Sequence, residues 1–286
     1  MPRSRSRIRL QQGEIEYTET GAGSPVVFVH GALVDGALWR GVAAALGPDL
    51  RAIVPDWPMG SHRLPMAAGA DLGPEGMADV VADALDALDL RDVTLVGNDT
   101  GGAVCQILCA RRPARIARMV LTNCDALERF PPPQFASLPR LFRVPGLPWL
   151  ASQLLYRLAA ARRRGFRALS STPIPDAQLR AWVEPGAKSG AIRRDLGKLI
   201  RGMSPRLTLA AAESLRRFDR PVLLAWGTRD PFFPMALAER LAELIPTARL
   251  ERIEGARAFV PLDQPERLAG LIRGFAAPAA RLRAEA

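Results

Sequence analysis

The sequence predicts an α/β protein with a mostly parallel, twisted sheet of about eight strands flanked by helices. Two observations predict this class. Short apolar runs of strand length alternate along the chain with stretches whose apolar residues recur at helical spacing, which is typical of a parallel sheet covered on both faces. The length of 286 residues and the hydrophobic content of 48% suffice for one large domain with an insertion.

The elements are expected in a definite order. An opening hairpin is expected to precede six further strands, and four helices are expected to cover the sheet. The strands are predicted at Arg7–Leu10, Glu14–Tyr17, Val26–Val29, Arg51–Val54, Val93–Val96, Met119–Thr122, Pro221–Trp226 and about Leu250–Ile253. The helices are predicted at about Met77–Leu88, Gly101–Ala110, Pro234–Leu244 and Pro265–Phe275.

The alternating pattern stops at Phe130-Pro-Pro-Pro133. From there to about Phe218 only helical segments are predicted, at Leu147–Ala161, Asp176–Val183 and Ala191–Met203. The sequence therefore predicts a helical cap over residues 130–218. The core is divided into a first part, 1–129, and a second part, 219–286, and the residues after Ala276 are expected to form a loose tail.

Composition bears on several function classes. The net charge of +10 suggests nucleic-acid binding, but the arginines are scattered without interleaved aromatic residues, and Lys188 and Lys198 are the only lysines. We therefore expect no nucleic-acid partner. No stretch approaches the length of a membrane span, and the first residues lack the apolar segment of a signal peptide. The sequence therefore predicts a cytoplasmic protein with no membrane partner. The protein is expected to be a monomer or homodimer.

The three cysteines are Cys105, Cys109 and Cys124, and their odd number and spacing do not indicate disulfides. Cys105 and Cys109 are four residues apart and would share a helix face, which allows a metal pair. We interpret them instead as small apolar core residues. The sequence predicts neither a metal site nor a cofactor.

The segment Gly97-Asn-Asp-Thr-Gly-Gly102 follows an apolar strand and precedes an apolar helix. It has the form of a nucleophile elbow, a strained strand-to-helix turn that exposes one reactive side chain above the sheet. The neighbours two positions away must be small, and Gly97 and Gly101 meet that need. The segment therefore predicts that Asp99 is the reacting residue, the alternative being an ordinary Asn-Asp-Thr-Gly turn.

With these motifs the chain resembles the α/β-hydrolase fold over nearly its whole length. The resemblance depends on His30-Gly31 after the third strand, the elbow, Trp226-Gly-Thr-Arg-Asp230 and the closing segment Gly255-Ala-Arg-Ala-Phe259. An aspartate at the elbow is similar to the haloalkane dehalogenase and epoxide hydrolase branch. The resemblance implies that Asp99 displaces halide or opens an epoxide, forming an alkyl ester on the enzyme.

The same resemblance implies further roles. The backbone N–H groups of Ala32 and Thr100 would form an oxyanion hole for the attack of water on the ester. Asp230 stands where the family places the acid that orients a histidine base, and Asp125 is a second place for that acid. His30 is expected to support the loop beside the oxyanion hole.

The chain departs from the family at the base. The position that holds a histidine before the aromatic residue of the closing segment is Ala258, and the only histidines are His30 and His62. Three interpretations remain open. His62, in a loop at the carboxyl edge of the sheet, could replace the base; Asp99 could serve a non-hydrolytic lyase or isomerase reaction; or the chain could bind a small molecule without chemistry.

The features that set specificity are incomplete. A halide-binding tryptophan would follow the nucleophile in dehalogenases, and this chain has Thr100 there. Epoxide hydrolases would need two cap tyrosines, and the predicted cap has only Tyr156. Trp57, Tyr156 and Trp182 are possible pocket residues, together with His30 and Asp125. The sequence thus predicts a cofactor-independent hydrolase of a small apolar molecule and does not identify the leaving group.

Overall fold

The computed structural model of the chain describes residues 5–276, so the tail expected after Ala276 lies outside the described residues. Eight strands form one sheet in the order β1-β2-β4-β3-β5-β6-β7-β8. The strands are β1 (Arg5–Leu10), β2 (Gly13–Thr20), β3 (Ser24–Val29), β4 (Leu50–Pro55), β5 (Val93–Asp99), β6 (Ile116–Cys124), β7 (Val222–Gly227) and β8 (Ala248–Ile253). Every predicted strand is confirmed.

The strand directions follow from the connections. β1 pairs with β2 in antiparallel fashion, since a short turn joins the two strands. β2 is also antiparallel to β4. All other neighbours are parallel, as expected for strands joined by helical crossovers. Because β3, β5, β6 and β7 run parallel, their carboxyl ends lie at one edge of the sheet. The strand order changes direction at β3, and ligands bind at that edge beside such a change in open α/β sheets.

Twelve α-helices lie in the described residues. The helices of the core are α1 (Arg40–Ala45), α2 (Pro74–Ala87), α3 (Thr100–Arg111), α10 (Met235–Leu244), α11 (Val260–Asp263) and α12 (Pro265–Ala276). Three 3-10 helices lie at Gly36–Trp39, Pro113–Arg115 and Pro133–Phe135. The predicted helix after the elbow is α3, and its residues from Thr100 to Cys109 are all buried, because the sheet and two neighbouring helices cover it.

The stretch between β6 and β7 is entirely helical apart from loops and one isolated bridge. It contains α4 (Leu138–Leu141), α5 (Leu147–Arg157), α6 (Ala159–Phe166), α7 (Asp176–Lys188), α8 (Gly190–Gly202) and α9 (Pro205–Leu215). We call residues 130–218 the helical insertion. Its standing as a separate cap domain, with the boundaries given above, stays a prediction.

One helix of the insertion differs from its prediction. The helix expected over Leu147–Ala161 is two helices, because Leu158 adopts an extended conformation with φ −105° and ψ 107°. The break lets the buried Arg162 guanidinium donate to the carbonyl oxygens of Leu155 and Tyr156 at the end of α5, at 2.8 and 2.9 Å. It also pairs with Asp176 at 2.6 Å. These contacts satisfy orphan carbonyl groups that a helix end leaves.

None of the described helices is long and apolar enough to cross a lipid bilayer.

Candidate active site

Asp99 lies at the sharp turn between β5 and α3. Its backbone has φ 54° and ψ −134°, a conformation that is strained for a residue with a side chain. The turn is possible because the neighbours lack side chains. A Cβ at Gly101 would lie 2.4 Å from the carbonyl oxygens of both Val29 and His30, and one at Gly97 would lie 2.8 Å from the Cα of Gly102. The local geometry is that of an elbow.

Three donors hold the Asp99 carboxylate. Its Oδ1 accepts hydrogen bonds from the Thr100 N–H at 2.5 Å and from the Thr100 hydroxyl at 3.0 Å. The backbone N–H of Ala32 also donates to this carboxylate. Both Thr100 donors meet Oδ1, and the carboxylate lines the cavity described below. Burial raises the pKa of Asp99, and the three donors partly offset that rise.

A cavity of about 270 Å³ lies between the sheet edge and the helical insertion. Most of its walls are apolar. It is lined from the core by Ala32, Leu33, Asp99, Thr100, Asp125, Phe232 and Phe233, and from the insertion by Pro131, Pro132, Phe135, Leu138, Leu155, Gly165, Phe166, Leu169, Ile200 and Met203. The structure therefore brings four of the predicted site residues, Ala32, Asp99, Thr100 and Asp125, to one apolar cavity.

The aromatic residues named as possible pocket residues lie elsewhere. Trp57 is fully buried and its Nε1–H donates to the Phe28 carbonyl oxygen at 2.8 Å. Trp182 is also fully buried, and its Nε1–H donates to Asp35 at 2.8 Å. The Tyr156 hydroxyl donates to Glu184 at 3.2 Å. Each polar group thus points away from the cavity toward a structural partner, and none of the three lines the cavity.

His30 supports the loop that carries Ala32. Its Nδ1 hydrogen-bonds the Gly31 carbonyl oxygen at 2.8 Å, and its Nε2 accepts from the Trp57 N–H at 2.9 Å. An Nε2 that accepts cannot carry a proton, and burial lowers the pKa of His30. The geometry is that of a neutral, structural imidazole rather than a cavity residue.

The structure does not bring His62 to the Asp99 cavity. The ring is buried and packs beneath the helical insertion, where Nδ1 accepts from the Gly60 N–H at 3.2 Å. Its Nε2 lies 3.3 Å from Asp195 of α8. Because both ring nitrogens have protein partners and the side chain does not line the cavity, the interpretation of His62 as a replacement base has no geometric support here.

Asp125 follows β6 directly and lines the cavity beside Asp99. Its backbone N–H donates to the Asp99 carbonyl oxygen at 3.3 Å, and its Oδ1 is buried with no partner among the described residues. The other side of the carboxyl contacts the Thr100 side chain. Burial, followed by the negative charges of Asp99 and Asp230, raises the pKa of Asp125 well above its usual value.

Asp230 lies in the turn after β7 and does not line the cavity. Its Oδ1 accepts from the Phe232 N–H and its Oδ2 from the Asn123 side-chain amide, each at 2.8 Å. Burial raises the pKa of Asp230 to about 7, with a smaller contribution from the Asp99 charge. Asp99, Asp125 and Asp230 thus form a carboxylate cluster with raised pKa values, and no basic side chain of the described residues pairs with any of them.

Ala258 is fully buried, and a network of side-chain amide groups lies beside it. The Asn98 amide donates to the Ala258 carbonyl oxygen at 2.7 Å and to the Thr122 hydroxyl at 2.9 Å. The Asn123 amide then reaches Asp230. Asn98 and Asn123 were not predicted as site residues. Polar side chains at the ends of two neighbouring strands were a signal that could have found them.

The three cysteines are free and buried, and burial raises the pKa of Cys109 to about 12. The described residues contain no group of three or more His, Cys, Asp or Glu side chains arranged to hold a metal ion.

A strained carboxylate elbow, two converging N–H groups and an apolar cavity above a mostly parallel sheet define an enzyme of the hydrolase class. Residues 24–265 match the family model described as the alpha/beta hydrolase fold, so the chain belongs to that family. It is 28% identical over 285 residues to haloalkane dehalogenase 2 of Mycobacterium tuberculosis strain ATCC 25618 / H37Rv, with 91% of each chain covered. It is 26% identical over 294 residues to the cis-3-alkyl-4-alkyloxetan-2-one decarboxylase of Shewanella oneidensis, covering 96% of this chain and 89% of that protein.

Solved structures agree on the fold. The crystal structure of haloalkane dehalogenase DbeA from Bradyrhizobium elkani USDA94 superposes with a TM-score of 0.79 at 21% identity, and 99% of each chain is covered.

Proposed function

We propose that this chain hydrolyses a small apolar molecule through Asp99, at a carbon that bears a halogen or belongs to an epoxide. The single observation that carries the proposal is the setting of the Asp99 carboxylate: it accepts hydrogen bonds from the Thr100 N–H and hydroxyl and from the Ala32 N–H, and it lines an apolar cavity. The similarity to haloalkane dehalogenase 2 supports the same chemistry.

The first step needs only groups that line the cavity. Asp99 Oδ2 forms a bond to carbon while the carbon–halogen or carbon–oxygen bond breaks. A halide departs with the electron pair, whereas an epoxide oxygen keeps the pair, stays bonded to the neighbouring carbon and takes a proton from the protonated Asp125. The product is an alkyl ester whose carbonyl oxygen is Oδ1. When water attacks the ester carbon, the negative charge develops on Oδ1, to which the Thr100 N–H donates, and the Ala32 N–H donates to the same carboxylate. Each such donor is worth about 3 kcal/mol in related sites.

The second step lacks the usual base. Loss of a general base slows the attack of water by about a hundredfold to ten-thousandfold. The neighbouring Asp125 does not replace the base while it is protonated, because a protonated carboxyl group cannot take a proton from water. The Thr100 hydroxyl has a single proton, which it donates to Asp99, so its contact with Asp125 is satisfied when Asp125 is protonated and donates to it. We therefore expect slow ester hydrolysis and a long-lived adduct.

A second candidate is a non-hydrolytic lyase reaction, which Ala258 and the similarity to an oxetan-2-one decarboxylase favour. Asp99 would attack the saturated ring carbon that is bonded to the ring oxygen. The bond between that carbon and the ring oxygen would break, which leaves a carboxylate group on the neighbouring ring carbon. Loss of carbon dioxide would then form the alkene as the bond to Asp99 breaks. No water is consumed, so this route needs no base to activate water.

The test uses intact-mass analysis after incubation with a bromoalkane, an epoxide and a cis-dialkyl oxetan-2-one. An adduct that maps to Asp99 and is absent in Asp99→Asn supports the nucleophile. Because burial raises the pKa of Asp99, the rate of adduct formation should rise with pH. Correctly folded protein that stays unmodified by all three reagents contradicts the proposal and leaves small-molecule binding without chemistry.

The two reactions are separated by turnover in water enriched in ¹⁸O. Hydrolysis through the ester leaves the label in the Asp99 carboxylate, whereas decarboxylation yields an alkene and carbon dioxide and leaves Asp99 unlabelled. The cytoplasmic location, the monomeric or homodimeric state and the absence of a nucleic-acid partner stay predictions.

A further inference from the structure

The positive charge of the chain is concentrated in one part of the helical insertion. Residues 129–175, which we call the arginine-rich segment, contain eight arginines and no aspartate or glutamate. The whole chain carries a net charge of +10, so most of the excess lies in this segment. Five of its arginines are exposed and form no ion pair within the described residues: Arg140, Arg143, Arg157, Arg164 and Arg167.

The same segment exposes apolar side chains. Seven large apolar side chains are markedly exposed in the described residues, and all but Leu209 lie here, each 41 to 56% exposed. The six are Leu141, Val144, Trp149, Leu150, Leu154 and Leu158. Leu150 and Leu154 are four residues apart and share one side of α5, and Leu158 follows the end of that helix directly. No residue of this apolar helix is fully buried.

We propose that this surface, formed by α4, α5 and the arginines around them, binds an anionic lipid bilayer. A short helix with leucines and a tryptophan on one side and cationic residues around it is typical of segments that lie in the membrane interface. α5 has 11 residues and a length of about 16 Å, so it would lie in the plane of the membrane rather than cross it. No membrane partner was expected from the sequence because no stretch is long enough to span a membrane. That criterion does not apply to a helix that lies in the membrane interface.

Charge favours a bilayer over a second copy of the chain. Two copies that met through this surface would bring two arginine-rich segments together, and like charges in contact are repulsive. Phosphate groups of anionic lipids instead complement the unpaired guanidinium groups, and each arginine near such a surface adds attraction. α5 also lines the Asp99 cavity through Leu155, so the bound surface would adjoin the cavity.

Trp149 provides a direct measurement. It is 50% exposed, whereas Trp39, Trp57, Trp182 and Trp226 are fully buried. Vesicles of phosphatidylcholine and phosphatidylglycerol in about equal amounts should therefore shift the tryptophan emission to the blue and carry the protein upward in a flotation gradient. Vesicles of phosphatidylcholine alone should bind much less, and added salt should weaken binding to the anionic vesicles.

Variants with matched controls test the surface itself. Arg140→Ser combined with Arg157→Ser should weaken binding to the anionic vesicles about thirtyfold. The same change at Arg206 and Arg217, which are exposed outside the segment, should weaken it by about threefold at most. Leu150→Ser should weaken binding about threefold to tenfold, and Leu209→Ser, a change at an exposed leucine of α9, should not.

Three results would overturn the proposal. The first is the absence of both the emission shift and flotation with the anionic vesicles. The second is equal loss of binding in the variants and their controls. The third is concentration-dependent self-association without vesicles that Leu150→Ser abolishes, which would assign the surface to a second copy. The experiment requires no turnover, so its outcome is independent of the proposed function.

Discussion

Replacing Asp230 by asparagine should remove the pH dependence that this buried carboxylate imposes on stability. Burial raises the pKa of Asp230 to about 7, from 3.8 for an ordinary aspartate. Between about pH 4 and pH 7 the carboxyl is protonated in the folded state and ionised in the unfolded state. Stability therefore falls as pH rises through this interval, and above it the folded protein holds a buried charge.

The size of the effect follows from the two pKa values. At about 1.4 kcal/mol for each pH unit, a pKa of about 7 in place of 3.8 corresponds to about 4 kcal/mol of folding free energy. Asparagine cannot ionise, so Asp230→Asn avoids this cost at pH 8. It keeps the bond from the Phe232 N–H, since its carbonyl oxygen can take the place of Oδ1.

The substitution loses one hydrogen bond. The new amide would face the Asn123 amide, and Asn123 cannot rotate because its Oδ1 accepts from the Gly227 N–H at 2.6 Å. A lost bond of this kind costs about 1 kcal/mol. We expect Asp230→Asn to be about 3 kcal/mol more stable than the wild type at pH 8, and about 1 kcal/mol less stable at pH 4.

Urea unfolding at the two pH values measures both differences. Asp219→Asn, the same change at an exposed carboxylate, is the control and should alter stability little at either pH. If Asp230→Asn changes stability by the same amount at pH 4 and pH 8, burial does not raise the pKa of Asp230. The reasoning about the raised pKa values of the carboxylate cluster would then be refuted.

The remaining predictions concern the base, the loop histidine and the elbow. Ala258→His should accelerate decay of an Asp99 adduct by about a hundredfold or more, and it should cost about 1 to 3 kcal/mol of stability through packing. Single-turnover decay at the same rate in the wild type and a folded variant would contradict this prediction. His62→Ala removes one of the hydrogen-bond partners of Asp195 and should lower the unfolding free energy by about 1 to 3 kcal/mol while leaving adduct decay unchanged. Slower decay would restore His62 as a base. Gly101→Ala should prevent folding or lower the melting temperature strongly, because its Cβ would lie 2.4 Å from two carbonyl oxygens, and a normal thermal melt would show that the elbow relaxes.

The fold was predictable because its signals are local. A continuous apolar run such as Val93–Val96 identifies a buried strand without knowledge of its neighbours, and the glycines around Asp99 identify the turn that follows. The break of the predicted cap helix at Leu158 was not predictable in this way. It depends on Arg162 and Asp176, which meet only after the chain has turned.

The site was predictable only in part, for the same reason. Ala32, Asp99, Thr100 and Asp125 end or follow neighbouring strands, so the topology of the sheet brings them together. The partner of His62 is Asp195, 133 residues further along the chain, and nothing in the local sequence of either residue indicates the pair. The exposed side of α5 was likewise hidden, since a helical pattern does not tell which apolar residues another helix covers.

Burial raises the pKa values of the three carboxyl groups, and the missing histidine leaves that rise without an offsetting cation. A cation at position 258 would stabilise the ionised forms of the neighbouring carboxyl groups, and alanine leaves them without a counter-charge. Asp125 then retains its proton beside Asp99, so the cavity carries less negative charge. The reduced charge favours attack of the Asp99 carboxylate on an electron-poor carbon of the substrate. Formation of the ester uses only groups that are present, whereas its release by water uses a group that is absent. Reactions in which Asp99 departs as a leaving group should therefore suit this site better than those in which water must release it. The ratio of alkene to labelled Asp99 in the ¹⁸O experiment measures that preference directly.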